Sequence, residues 1–468
     1  MKKNGFAVIP FNSTIIKDRY LVSNMLGNWD FLAKDEFKVL QSSNLTKKTP
    51  FFNRLRDKGL VIDGNNLKTV VDDYRSLNLN LFNDTSLHIA VVTTHCNLNC
   101  TYCQTNALKQ EDMSHEVAGR VLKYIFDVQT PAVTLEFQGG EPLLNWDVLA
   151  FLIEHAKKFN VNKNLRIALV TNLTLLDDKK MKFLTDHGVE ICTSLDGPKK
   201  IHDKNRIFAK GKGSYDIVVK NIKRLNDKFG KKVNLLPTIT KHSLKYFKEI
   251  IDEYVKWGET DISLRPVNKM GIACANWSNL GYSPEEFNVF YKKSMDYILE
   301  LNKKGVFIRE RMARVILDKL FNKQDPGYVD LMSPCGAGRT TIAYMPNGDC
   351  YPCDEARMVA EDMLKLGNIL NENYQDLMKK ENLFHLLEAS LVDLWDYNSA
   401  FLPWMGTCPV VNYALQRNIV PQIKCSPAHK VYNHQFRYIF EKISENNRDY
   451  KILRGWVKKG ERHEKKEK

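Results

Sequence analysis

From Leu87 to Arg265 the chain switches repeatedly between two hydrophobic periods. Short apolar or β-branched runs occur at Leu87–Thr93, Val133–Gln138, Ile167–Thr171, Glu190–Leu195, Val233–Thr240 and Asp261–Arg265. Between them lie stretches of helical period. In Ser243–Val255, for example, Leu244, Phe247, Ile250, Ile251, Tyr254 and Val255 fall on one face. Six strand-then-helix units predict an α/β fold, a parallel sheet curved into a partial (β/α)6 barrel. In such sheets functional side chains gather at the C-terminal ends of the strands.

The pattern changes on either side of this stretch. Residues 1–84 read as a small α+β module, with strand-like runs at Tyr20–Ser23 and Asp30–Leu32 and helical stretches around Lys34–Gln41 and Pro50–Lys58. Beyond Glu310 the periodicity weakens, and Gly, Pro and Cys crowd Ser333–Cys353, as in loops organised by a metal. The expected division is therefore 1–84, a barrel at 85–310, a third unit at 311–435 and a basic C-terminal helix or tail at 436–468.

A composition of 43% hydrophobic and 26% charged residues over 468 suits two or three ordinary globular units. No apolar run approaches the roughly 20 residues that span a bilayer. The start, Met1-Lys2-Lys3-Asn4, lacks the apolar stretch of a signal peptide. The expectation is a cytoplasmic protein with no membrane partner. A formal charge of +14 raises the possibility of a nucleic-acid partner, but Lys and Arg are spread along the chain. The densest stretch, Arg448–Lys468, mixes nine Lys and Arg with four Asp and Glu and reads as a solvated, frayed end. Nucleic acid is accordingly not an expected partner.

Ten cysteines in such a chain point to metal or redox chemistry rather than to disulfides. Cys96, Cys100 and Cys103 form one group and Cys335, Cys350 and Cys353 another, with Cys408 and Cys425 further on. Cys192 and Cys274 stand alone and read as small buried hydrophobes. The first group puts three thiolates on one loop, spaced C-x3-C-x2-C, just after the first strand. Three ligands leave one iron of a four-iron cluster without a protein ligand, whereas closed structural sites supply four. A zinc knuckle is the alternative.

This spacing, with Phe137-Gln138-Gly139-Gly140-Glu141-Pro142 ending the second strand, resembles the radical S-adenosylmethionine (SAM) superfamily. The resemblance implies that Cys96, Cys100 and Cys103 hold a 4Fe-4S cluster whose open iron site takes SAM, and that an electron from the cluster yields a 5′-deoxyadenosyl radical. It implies Tyr102 beside the adenine and Gly139, Gly140 and Glu141 at the SAM amino group. Asn172, Ser194 and Asp196 would hold the ribose, and Arg206 would lie near the SAM carboxylate. Arg265 closes the sixth strand.

Cys335, Gly348 and Cys353, followed by Asp354, resemble the opening of the SPASM extension, and Cys408-Pro409 resembles its later cysteine run. Trp395, Asn398 and Trp404 occupy three further places of that run, so the resemblance implies a reduced SPASM or twitch-like domain with one auxiliary 4Fe-4S cluster. Cys335, Cys353 and Cys408 are its implied ligands. Cys350, in a C-x2-C pair with Cys353, is the fourth, with Cys425 as rival; a zinc site is the alternative. Asp354 is the candidate catalytic residue, because it matches the proposed base of formylglycine-generating relatives; a structural acceptor is the alternative.

The chain as a whole resembles the B-type maturases of His-Xaa-Ser peptide systems, through its N-terminal module, Phe137–Leu144, Thr193–Pro198, Cys335–Gly338 and Cys408–Tyr413. The resemblance implies hydrogen abstraction from a ribosomally made precursor peptide. It also implies a second radical SAM protein and a low-potential electron donor of flavodoxin or ferredoxin type as partners. The N-terminal module would have a winged-helix, PqqD-like fold that adds the precursor's leader to a sheet edge; a structural cap is the alternative. Sulfatase maturation and RNA modification are rival activities. A non-enzymatic iron–sulfur sensor would leave the Gly-Gly-Glu-Pro segment without a purpose. The sequence predicts about eight iron atoms per reconstituted chain, from two four-iron clusters; iron analysis returning about twelve would require a third cluster on non-cysteine ligands.

Overall fold

The computed structural model describes residues 5–79, 84–105, 108–324, 329–391, 398–420 and 426–458. The chain opens with β1 (Phe6–Val8), β2 (Phe11–Ile16), β3 (Arg19–Asn24) and β4 (Trp29–Leu32), then, after two helices, β5 (Val61–Asp63). β2, β3 and β4 form an antiparallel meander, and β1 pairs with β5. Phe6, Val22, Leu32, Phe37, Phe52 and Leu55 fill a core of this module's own. The hydrophobic pattern marks β3 and β4 but not β2, whose middle residues Asn12, Ser13 and Thr14 are polar and only partly covered.

Five parallel strands come next: β6 (Leu87–Thr93), β7 (Ala132–Gly139), β8 (Asn164–Val170), β9 (Glu190–Ser194) and β10 (Val233–Leu236). Alternate side chains take opposite faces. Val133, Leu135 and Phe137 on β7, with Ile167 and Leu169 on β8, are buried beneath helices that present Val121, Ile125, Leu149 and Ile153. The other set, Thr134, Glu136 and Gln138 on β7, Arg166, Ala168 and Val170 on β8, and Glu190, Cys192 and Ser194 on β9, lines a cavity. The barrel is therefore greasy outside, under its helices, and polar inside.

The expected fifth strand breaks at Pro237, which has no N–H for the ladder. Past this break the chain forms β11 (Thr238–Ile239), β12 (Asp261–Ile262), β13 (Arg265–Pro266) and β14 (Arg309–Glu310). β11 pairs with β13 and β12 with β14, so this wall consists of two short parallel pairs, and the expected sixth strand is split between them. At the other edge β15 (Thr341–Tyr344) runs parallel to β6, and β16 (Asp349–Tyr351) and β17 (Gly367–Asn368) extend the sheet antiparallel. One eight-stranded sheet thus continues past residue 310 and carries the second cysteine segment on its edge.

Helices Pro427–Glu445 and Arg448–Gly455 close the fold. Phe440 meets Trp29 edge-on at 5.2 Å and stacks on Phe401 at 5.7 Å, joining the N-terminal meander to the C-terminal third. The segment after Arg448 departs from the frayed end expected of its charge, because Leu453, Trp456 and Val457 are buried and Asp449 pairs with Lys303 and Lys442. Residues 459–468 lie outside the described residues. Among the described residues no helix is long and apolar enough to cross a membrane. Truncating Phe440, which is fully buried, to Ala is expected to cost about 3–5 kcal/mol. A lowered urea midpoint would register it, and an unchanged midpoint would refute this ring's role in joining the two ends.

Candidate cofactor and substrate site

The loop carrying Cys96, Cys100 and Cys103 is held from four sides by hydrogen bonds. Gly140 and Glu141, at the end of β7, donate N–H groups to the carbonyls of Thr93 (2.9 Å) and His95 (2.8 Å). Asn99 and Thr101 donate to the carbonyls of Ile207 (2.7 Å) and Asn205 (2.9 Å), and Ile272 donates to that of Cys103 (2.9 Å). Just past β8, Asn172 Nδ2 donates to Asn97 Oδ1 at 2.9 Å. The glycine pair is dictated by this contact. A Cβ on Gly139 would lie 2.1 Å from the Thr93 oxygen and one on Gly140 2.2 Å from that of His95. Only glycine permits the approach. The close approach is thus to the chain's own loop, where the sequence suggested approach to a ligand.

Among the residues matched to SAM contacts, Tyr102, Gly139, Gly140, Asn172, Ser194 and Arg206 line a cavity of about 1130 Å³. Glu141 and Asp196 stand behind its wall, fully buried. The Glu141 carboxylate accepts from Thr171 Oγ1 (2.6 Å), the Asn172 N–H (2.7 Å) and the Leu143 N–H (3.1 Å), and so straps the ends of β7 and β8 together. Asp196 accepts from Tyr102 Oη (2.8 Å), Asn205 Nδ2 (3.0 Å), the Thr238 N–H (3.1 Å) and Arg206 Nε (3.3 Å). Both carboxylates spend their lone pairs on the frame.

Cys96, Cys100 and Cys103 all face the cavity. Burial pushes the Cys96 thiol up to about 11 and that of Cys100 up to about 12, so both stay protonated at neutral pH until a metal displaces the proton. Among the described residues, no three Cys, His, Asp or Glu side chains are grouped tightly enough to close round one ion. Three thiolates facing one cavity can each take one iron of a four-iron cube and leave its fourth iron open.

The second cysteine group divides. Cys335 and Cys353 are buried in one small cluster against which Cys408 packs, and Cys353 feels the charge of both others. Cys353 and Cys408 each cap a helix, their sulfurs accepting from the Ala356 N–H (3.4 Å) and the Val411 N–H (3.5 Å). Burial nevertheless pushes the Cys353 thiol well up, so a metal must displace its proton. Cys350 departs from the ligand role expected of its C-x2-C spacing. It lies on β16, turned to the opposite side, in the main core with Tyr344 and with Asp349 and Glu372 as its charged neighbours. Alternation along β16 sends Cys350 to one side and its neighbour Tyr351 to the other, where the chain goes on to Cys353. Trp404 is a core side chain against Phe436 and Phe440. Cys425 and Trp395 lie outside the described residues.

Asp354 lines the cavity next to Cys353, with its Oδ1 accepting from Arg357 Nε at 2.7 Å. Arg357 Nη2 donates to Gln138 Oε1 and Gln138 Nε2 to Glu136 Oε1, both at 2.6 Å. Arg357, 1% exposed, thus ties the auxiliary-site helix to the strand that ends in Gly139-Gly140. Neither Arg357 nor this row was singled out from the sequence. The signal available was polar residues at alternate positions, Glu136 and Gln138, within an otherwise apolar strand. The two solitary cysteines also differ from expectation. Cys192 faces the cavity, its thiol pushed by burial up to about 12, and Cys274 is exposed.

Known proteins resemble this chain over most of its length. Residues 90–254 match the model of the Radical SAM superfamily. A cysteine-type anaerobic sulfatase-maturating enzyme of Clostridium novyi (strain NT) is 25% identical over 372 residues, which cover 76% of this chain and 94% of that protein. The structure of native anSMEcpe with bound AdoMet and Kp18Cys peptide is similar at a TM-score of 0.67 and 21% identity, covering 78% of this chain and 99% of that one. Streptococcus suis SuiB bound to precursor peptide SuiA gives a TM-score of 0.53 at 15% identity, covering 88% and 98%. At these identities the structural likeness is one of fold.

The split of the second group makes a direct test. Cys353→Ala is expected to remove about four iron atoms per chain and Cys350→Ala almost none; equal iron loss in the two variants would return Cys350 to the ligand set.

Proposed function

We propose that this chain is a radical SAM enzyme that modifies a ribosomally made precursor peptide. One observation carries the reading: a single cavity reaches from Cys96, Cys100 and Cys103 through the barrel to Cys353 and Asp354. Its volume, about 1130 Å³, lies at or beyond the upper end for small-molecule pockets, roughly 300–1,000 Å³. Its wall carries amide and charged groups from several strands, which suits a segment of polypeptide. The relatives support the substrate class. Those named above are a sulfatase-maturating enzyme and two proteins solved with peptides bound.

In this reading Cys96, Cys100 and Cys103 hold the SAM cluster, and Cys335, Cys353 and Cys408 hold an auxiliary one. With SAM bound, the first cluster supplies a 5′-deoxyadenosyl radical able to take hydrogen from an unactivated C–H bond. Tyr102, Gly139, Gly140, Asn172, Ser194 and Arg206 contact SAM, while Glu141 and Asp196 fix the strand ends and loop from behind. The covering helices shield the cavity's outer side, keeping a reactive species from water. Residues 1–84 receive the leader, and the partners are a second radical SAM protein and a low-potential electron donor. The finer assignment is to the B-type maturases of His-Xaa-Ser systems.

Sulfatase maturation is the second reading, favoured by Asp354 beside Cys353. There Asp354 would take a proton from the substrate; here Arg357 already occupies its Oδ1, which supports a structural role instead. Co-expression with the precursor peptide encoded beside the gene is expected to change that peptide's mass. A mass change confined to a sulfatase-derived peptide would overturn the precursor reading in favour of the second.

A further inference from the structure

We propose that Arg206 sets the reduction potential of the cluster held by Cys96, Cys100 and Cys103, with the Asp196 carboxylate as its counterweight. The inference rests on the assignment of that loop to a cluster and is independent of the substrate. Arg206 directly follows helix Lys199–Asn205, whose last carbonyl accepts from Thr101 inside the cysteine loop. Its side chain is 12% exposed. Nη1 lies 3.9 Å from Cys100 Sγ, within reach of an N–H···S bond, and Nε lies 3.3 Å from Asp196 Oδ1. The guanidinium sits over the ring of Tyr102, 5.2 Å from its centre. Three contacts therefore fix one cation against a ligand sulfur.

Reduction adds negative charge to a cluster. A cation held beside a ligand sulfur stabilises the reduced form, and an N–H···S bond acts in the same direction. The effect is large where water is excluded, since charges interact more strongly at low dielectric. Asp196 pulls the other way. Its carboxylate is fully buried, but Tyr102 Oη, Asn205 Nδ2 and the Thr238 N–H draw on its charge, and Arg206 stands between it and Cys100. The field at the sulfur is left positive. A low-potential electron must enter this cluster before SAM can be cleaved, so the pair governs how readily that electron is accepted.

The test is a redox titration of the reconstituted full-length protein without SAM, followed by electron paramagnetic resonance. The signal to follow is the one that changes shape when SAM is afterwards added, which separates this cluster from the auxiliary one. Arg206→Gln is expected to shift the midpoint to more negative potential at wild-type iron content. Asp196→Asn is expected to shift it to more positive potential. Arg206→Lys, which keeps the charge, is expected to stay closer to wild type than Arg206→Gln. An unshifted midpoint in iron-replete Arg206→Gln overturns the proposal. Should that variant load iron poorly, Asp196→Asn decides: a midpoint that is unchanged or more negative overturns it equally.

Discussion

Two carbonyl oxygens, those of Thr93 and His95, receive the backbone N–H groups of Gly140 and Glu141, and the site is built outward from that contact. It is possible only because residues 139 and 140 lack a Cβ. Once β7 is fastened to the start of the cysteine loop, the Glu141 carboxylate reaches the end of β8, and Asn172 reaches back to Asn97 between the first two cysteines. Arg206, Asn205 and Ile207 complete the ring of supports from the far side. A loop of eight residues bearing three thiols would otherwise be free to turn them outward. Here its backbone is pinned at several points, so the thiols face one cavity before any metal arrives.

The second constraint is the period of two along the strands. Helices cover one face of β7, β8 and β9 and take Leu135, Phe137, Leu169 and Ile191 into the core. The other face is left with Glu136, Gln138, Arg166, Glu190 and Cys192, which cannot fill a dry interior and instead line an open one. The Gln138–Arg357–Asp354 row joins this interior to the helix that Cys353 caps, through a buried guanidinium. Because β15 adds directly to β6, the second group rides on the sheet that holds the first.

Much of this was legible in the sequence where one rule governed. Strand period located β6 to β9, helical period marked Ser243–Val255, where a helix spans Phe247–Lys256, and the C-x3-C-x2-C spacing located the loop. The fifth strand departs from its apolar pattern because Pro237 cannot serve in a ladder, and the sixth divides because Asp261–Ile262 pairs with β14 and Arg265–Pro266 with β11. The sequence also mistook the role of Arg448–Val457, since a high charge hid the spacing of Leu453, Trp456 and Val457. Cys350 was grouped with Cys353 because two residues separate them in sequence. Side-chain alternation on β16 sends it into the opposite core. The Arg357 network was invisible for a different reason: it joins residues more than two hundred positions apart, and no local pattern encodes such a contact.

If the pinned cysteine loop holds a SAM-binding cluster, the protein cleaves SAM. The direct measurement is formation of 5′-deoxyadenosine by reduced, cluster-loaded protein, compared between wild type and Cys100→Ala. Turnover is expected in the wild type and none in the variant, with the variant retaining wild-type circular dichroism because the barrel's packing does not depend on the cluster. 5′-Deoxyadenosine formed at the wild-type rate by Cys100→Ala would contradict this expectation.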